Sequence, residues 1–184
     1  MQPSAREKMT CSLRFVKYFS NQAGHKRMLA ARTLLWPAAS AADTPSMYKH
    51  WEHFEHGADI GVRGVGASKA EAFEQAALAL TAVITDPLGV DERETVHIRC
   101  EAADDELLLA NWLNALVREM TARRMLFARF HVQLNGRRLE ARALGEPIST
   151  PRHQPALAVK GVTYVALRVA PLHDGWLAQT VVDV

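Results

Sequence analysis

Two short runs of alternating apolar residues meet at an Asn-Gly pair: Phe130, Val132 and Leu134 lead into Asn135-Gly136, and Leu139, Ala141 and Ala143 follow. Side chains along a strand point alternately to opposite faces, so each run offers one face to a core and one to water. Asn-Gly tolerates the positive φ angles of a type I′ turn, whose twist matches that of paired strands. The segment therefore reads as an antiparallel hairpin with one apolar face, and that face requires a second layer to cover it.

The covering layer is legible in two helical patterns. Ser68-Lys69-Ala70-Glu71 is a capping box, in which the serine and glutamate side chains satisfy free amides at a helix start. Phe73, Ala77, Leu80 and Ile84 then recur on one face, and Asp86-Pro87 with Gly89 ends the pattern. Asp104 or Asp105 caps a second helix of similar length, in which Leu109, Leu113, Leu116 and Met120 form the stripe that Leu108 and Trp112 widen. Arg123 and Arg124 suit its C-terminal end.

Strand signals occupy the rest. Trp51 to Gly66 is β-like, with glycines that imply bends or close backbone approach; Val96, Ile98 and Cys100 alternate within Glu94 to Glu101. A loop rich in Pro and His (Pro147 to Pro155) leads to an expected strand from Val159 to Val169, and Asp174-Gly175 turns the chain into a last strand, Trp176 to Val182. Strands, helix, strand, helix and four further strands predict an α+β fold, a largely antiparallel sheet covered by two helices.

The first 46 residues differ in character. They show no sustained period, and they carry seven Lys or Arg against Glu7 and Asp43, a net of about +5 that leaves about −3 on the remainder of a chain of net +2. They are expected to be a poorly ordered extension, with the domain spanning 47–184. An in-frame stretch upstream of a start at Met47 is preferred over a transit peptide or a secretory signal from Met28, whose apolar region Arg32 would interrupt. The acidic body argues against a protein that coats nucleic acid through its own field, so any RNA is expected to be held by a partner. Charged or amide residues break every apolar run before the roughly 18 residues of a membrane span, and the expected location is the cytoplasm. Cys11 and Cys100 lie far apart; Cys100 reads as a small buried hydrophobe, and no disulfide framework is expected.

Residues with chemical potential are few. Gly61, Gly64 and Gly66 lack the spacing and the Lys-Ser/Thr ending of a phosphate-binding loop. His53 and His56 sit three apart on a strand and so point to opposite faces, which disfavours a zinc pair. No nucleophile triad can be assembled, and Arg137 with Arg138 reads as a solvated hairpin tip. Asp59, among small residues at a strand start, would ordinarily be a turn aspartate, and Asp183 a carboxylate near a frayed end. If the final strand pairs beside the one bearing Asp59, however, both carboxylates converge with the terminal group of Val184. Three hard oxygen donors suit calcium, magnesium or manganese far better than zinc or copper.

The segment His56-Gly57-Ala58-Asp59-Ile60-Gly61 resembles the archease signature, which usually has Thr in place of Gly57. Further matches follow in the family's order: Ala70-Glu71-Ala72-Phe73, Leu107-Leu108 with Trp112-Leu113-Asn114, Gly145-Glu146, Val159 to Tyr164, and Val182-Asp183-Val184. The resemblance covers nearly all of 50–184. It implies an activating factor for an RtcB-type tRNA-splicing RNA ligase, which joins RNA ends carrying a 2′,3′-cyclic phosphate or 3′-phosphate to a 5′-hydroxyl. The ligase holds the histidine that takes up GMP from GTP; the factor promotes that guanylylation and multiple turnover, with tRNA or broken RNA reached only through the ligase. Carried over, the family's divalent-metal site maps to Asp59, Asp183 and Val184, its required lysine to Lys160, and no catalytic residue is implied. A different class remains the alternative, a small metal-binding chaperone or scaffolding module, because fold alone does not give function. A metal-dependent phosphoesterase is disfavoured, since no second carboxylate cluster and no nucleophile accompany the first.

Overall fold

The computed structural model describes residues 49–184, beginning with β1 (His50–His56), which turns at once into β2 (Asp59–Gly66). The two pair antiparallel from His50↔Val65 to His56↔Asp59. The last strand, β8 (Gly175–Asp183), runs along the other edge of β2, with Gly66 opposite Trp176 and Ile60 opposite Val182. Two short strands share the far edge of β8: β6 (Gly161–Val162) pairs with its C-terminal end and β7 (Arg168–Leu172) with its N-terminal half. Together they make one antiparallel sheet of five strands. A second sheet of three has the order β3 (Glu94–Glu101), β5 (Arg138–Pro147), β4 (Met125–Asn135). The α+β class and the antiparallel pairing follow the sequence expectation; the division into two sheets is new.

Both helices begin where their caps predict. In α1 (Lys69–Ile84) the Glu71 amide donates to Ser68 Oγ at 3.2 Å, while the Glu71 carboxylate reaches one residue further back, to the Ala67 amide at 2.9 Å. In α2 (Asp105–Arg123) the Leu107 amide donates to the Asp104 carboxylate at 2.8 Å. The apolar stripes are buried: Phe73, Ala77, Leu80, Leu108, Leu109, Trp112, Leu113 and Leu116 are fully covered. The first helix packs on β2, β4 and β8, and so joins the two sheets into one core. The buried Thr81 hydroxyl strengthens that junction by donating to the Phe127 carbonyl on β4 at 2.7 Å. Gly64 explains how closely α1 sits on β2, because a Cβ there would lie 2.2 Å from the Ala76 nitrogen and 2.3 Å from the Ala72 oxygen.

Three local expectations are corrected. The hairpin loop is Gly136-Arg137, closed by Asn135↔Arg138, with Gly136 at φ 58°. Glycine alone takes positive φ, at the first loop position, which is the pattern of a type II′ rather than a type I′ turn. The expected strand from Val159 to Val169 breaks into β6 and β7, because Ala166 adopts φ 50° and throws Tyr164 and Val165 outward. The loop after β5 contains a short helix, α3 (Thr150–His153). The described residues fall within one compact unit, whereas the expected extension 1–46 and its boundary lie outside the described residues.

Candidate functional site

The pairing of β2 with β8 decides where the candidate metal ligands go. Asp59 opens β2 and Asp183 closes β8, and the register that sets Ile60 opposite Val182 carries Asp59 to the place opposite Asp183. Lys160 joins them from the other side of β8. Its amide donates to the Asp183 carbonyl at 2.9 Å, its ammonium donates to the main-chain oxygen of Val184 at 2.8 Å, and the same Nζ lies 3.6 Å from Asp183 Oδ1. All four sequence-selected residues therefore gather at one end of the larger sheet. The Lys160 and Asp183 side chains are 68% and 50% exposed, so a partner can reach them.

The donor set suits a hard divalent cation: two carboxylates and a main-chain oxygen, solvated on one side so that water can fill the remaining positions. Among the described residues no group of three His, Cys, Asp or Glu side chains is assembled, so further ligands would have to come from main chain, water or a partner. In the described arrangement the Lys160 ammonium is the counter-cation of Asp183 and Val184. A metal at these oxygens would have to displace it.

A second cluster, unforeseen in the sequence, is buried behind the loops. The Glu146 side chain is 4% exposed. It accepts from the Asp91 amide at 2.7 Å and from Arg152 at 2.9 Å, and Arg93 lies 3.3 Å away. His153, whose side chain is fully buried, accepts the Ser149 amide at Nδ1 and places Nε2 3.1 Å from Glu146. The tautomer that satisfies both contacts carries its hydrogen on Nε2. The Asp91 amide, aided by His153 and by Arg152 and Arg93, holds the Glu146 carboxyl below the usual range against the opposing effect of burial. Hydrogen bonds from Arg152 and Arg93 do the same for Asp91. The cluster ties the segment before β3 to α3 and β5, a bracing role. Gly145-Glu146 was visible as a motif, but its partner Asp91 lies 55 residues away and no local spacing signals it.

The remaining candidates do not converge. His53 Nε2 lies 2.7 Å from the Ala79 carbonyl, and His56 stands exposed at the end of β1. Arg138 pairs with Glu101 at 3.2 Å, leaving Arg137 at the hairpin tip. Cys100 is half-buried, and burial pushes its thiol up against the lowering effect of Arg118.

Residues 51–184 match the model of the archease protein family. The chain is 40% identical over 141 residues to the protein archease of Pyrococcus abyssi, an alignment that covers 74% of this chain and 99% of that relative. It is 41% identical over 140 residues to the protein archease of Thermococcus gammatolerans, covering 73% and 99%. Among solved structures, a Methanobacterium thermoautotrophicum protein determined in solution aligns with a TM-score of 0.65 at 28% identity, over 73% of this chain and 98% of that one. A Thermotoga maritima crystal structure, described as an archease and possible chaperone, shares the fold at TM-score 0.50 and 19% identity, over 71% and 94%.

Proposed function

Because the chain belongs to the archease family, we propose that it is an activating factor for an RtcB-type tRNA-splicing RNA ligase, promoting guanylylation of the ligase by GTP and its repeated turnover. The observation that supports this reading most is the gathering of Asp59, Asp183, Val184 and Lys160 at one exposed end of the sheet. Asp59, Asp183 and the main-chain oxygen of Val184 would hold a calcium, magnesium or manganese ion, and the ion would supply positive charge able to orient phosphate oxygens. Lys160, which pairs with Val184 and Asp183, would then be a mobile ammonium able to meet a phosphate or a carboxylate of the ligase. The factor carries no catalytic residue in this reading, works in the cytoplasm, and meets tRNA or broken RNA only through the ligase.

The test is transfer of labelled GMP from GTP to a purified RtcB-type ligase, followed by joining of cyclic-phosphate RNA under multiple turnover. The reading expects a faster first step and sustained joining when this protein is added. Unchanged rates would contradict it. The second reading, a metal-binding chaperone, takes its support from the words used for the Thermotoga protein. It expects the protein to suppress aggregation of unrelated unfolding clients while leaving guanylylation unaltered.

A further inference from the structure

On the three-stranded sheet, the face turned away from the buried core follows a charge rule and breaks it once. β3 and β5 set Arg99 opposite Glu140 and Glu101 opposite Arg138, and both pairs close as ion pairs, at 3.4 and 3.2 Å. Arg129 on β4 likewise pairs with Glu92. Like charges directly opposed destabilise a sheet, and alternation of sign avoids the penalty. One row departs from this pattern: Arg142 on β5 has His97 of β3 on one side and His131 of β4 on the other. All three residues are exposed, and among the described residues none of their side chains has a hydrogen bond, ion pair or ring contact.

Side chains directly opposite on one face stand about 5 Å apart at Cβ. The two imidazoles therefore flank the Arg142 side chain closely, and with Gln133, Glu140 and Ala141 the row lines a shallow depression. The carboxylate in that depression, Glu140, is taken up by Arg99. Arg142 is thus a cation without a counter-ion, although the body of the chain is acidic overall. These three strands expose no Phe, Tyr or Trp, so the face offers no large ring on which a base would stack.

We propose that the row of His97, Arg142 and His131 is a binding site for a phosphate group. The guanidinium is a planar fork of N–H donors that fits two phosphate oxygens at once. Each imidazole adds a donor from its own side, and the Gln133 amide adds another from the row below. A carboxylate has one charge and two oxygens, which Arg142 alone would satisfy; a phosphate of charge about −1.5 to −2 uses the whole row. The site lies on the smaller sheet, whereas Asp59 and Asp183 lie on the larger one, so the inference goes beyond the activator reading and does not depend on it.

The experiment follows amide and imidazole NMR resonances of the full chain while inorganic phosphate, sulfate or GTP is added without metal. Phosphate should give saturable shifts centred on His97, His131 and Arg142. Arg142→Gln should weaken binding about fivefold, and Arg168→Gln, which removes the same charge from β7 of the other sheet, should leave it unchanged. The charged and titratable groups around Arg142 are His97 and Arg99 from β3, Glu140 from β5, and Arg129 and His131 from β4. Of these the imidazoles gain charge on acidification, so sulfate should bind more tightly as pH falls from about 8 to about 5. The double variant His97→Gln with His131→Gln should lose that dependence. GTP acting on the same resonances more tightly than phosphate would assign the group to a nucleotide, and more weakly to the free ion; either outcome supports the site. Shifts that spread without saturating, or an equal loss in Arg168→Gln and Arg142→Gln, would overturn it, because net charge alone would then attract the anion. Sulfate binding that tightens as much in the double histidine variant as in the wild type would overturn it too.

Discussion

In the proposed reading, Lys160 and a metal ion would compete for the same oxygens. The ammonium rests on Val184 and lies within ion-pair distance of Asp183, the two groups that the proposed cation would need. Exposed ion pairs contribute only ~0–1 kcal/mol, so the competition is mild. Replacing Lys160 with Met should therefore tighten calcium binding by no more than about fivefold while weakening ligase stimulation. Titration calorimetry and GMP transfer read the two effects separately, and a variant with weaker calcium binding would mean that Lys160 supports the ion rather than opposing it. Glu146 gives a prediction for pH. Its folded carboxyl is held below the usual range chiefly by the Asp91 amide, so the stability it confers is present above the ordinary glutamate range and lost as pH falls through its lowered value. Asp91 acts in the same sense through Arg152 and Arg93. Denaturant melts should show stability falling on acidification across and below the range where free carboxylates titrate, and Glu146→Gln should flatten that slope.

At the scale of elements, the helices follow from their ends and stripes. Asp104→Ala should cost α2 about 1 kcal/mol by freeing the Leu107 amide. Truncating the fully buried Trp112, which meets Phe130 edge-to-face at 6.0 Å, should cost about 3–5 kcal/mol in urea denaturation. These elements were legible because caps and stripes are local. The hairpin was legible in its faces but not in its turn: the loop is Gly136-Arg137, yet Leu134↔Leu139, Val132↔Ala141 and Phe130↔Ala143 all keep their apolar side inward. The change from the expected Asn135-Gly136 loop displaces the pairing by two residues, and period two leaves every face unchanged. The break at Ala166 escaped the sequence because Thr163, Val165, Leu167 and Val169 alternate as a strand would. What opens that strand is Thr163 and Ala166 bonding to β8, a partner remote in sequence.

Across the whole molecule, local pattern gave the class of fold but not the assembly of strands into two sheets, since α1 joins β2 and β8 to β4 through contacts far apart along the chain. Gly64 marks that closeness. Gly64→Ala should destabilise the chain by about 1–3 kcal/mol, because the methyl group meets helix backbone rather than a flexible side chain. The candidate site was legible as four residues and a conditional: if the last strand lies beside β2, Asp59 meets Asp183. The register satisfies that condition, and the place of Lys160 over Val184 adds what sequence could not give. The Glu146 cluster stayed hidden because its partners come from segments that only the folded chain brings together.

The central claim is that this carboxylate end works on the ligase. Its most direct test is the rate of covalent GMP–ligase formation from GTP in the presence of wild-type protein, Asp59→Ala or Asp183→Ala, each variant first shown to melt like the wild type. The account predicts that either substitution lowers the rate to that of ligase alone; stimulation by both variants equal to that of the wild type would contradict it.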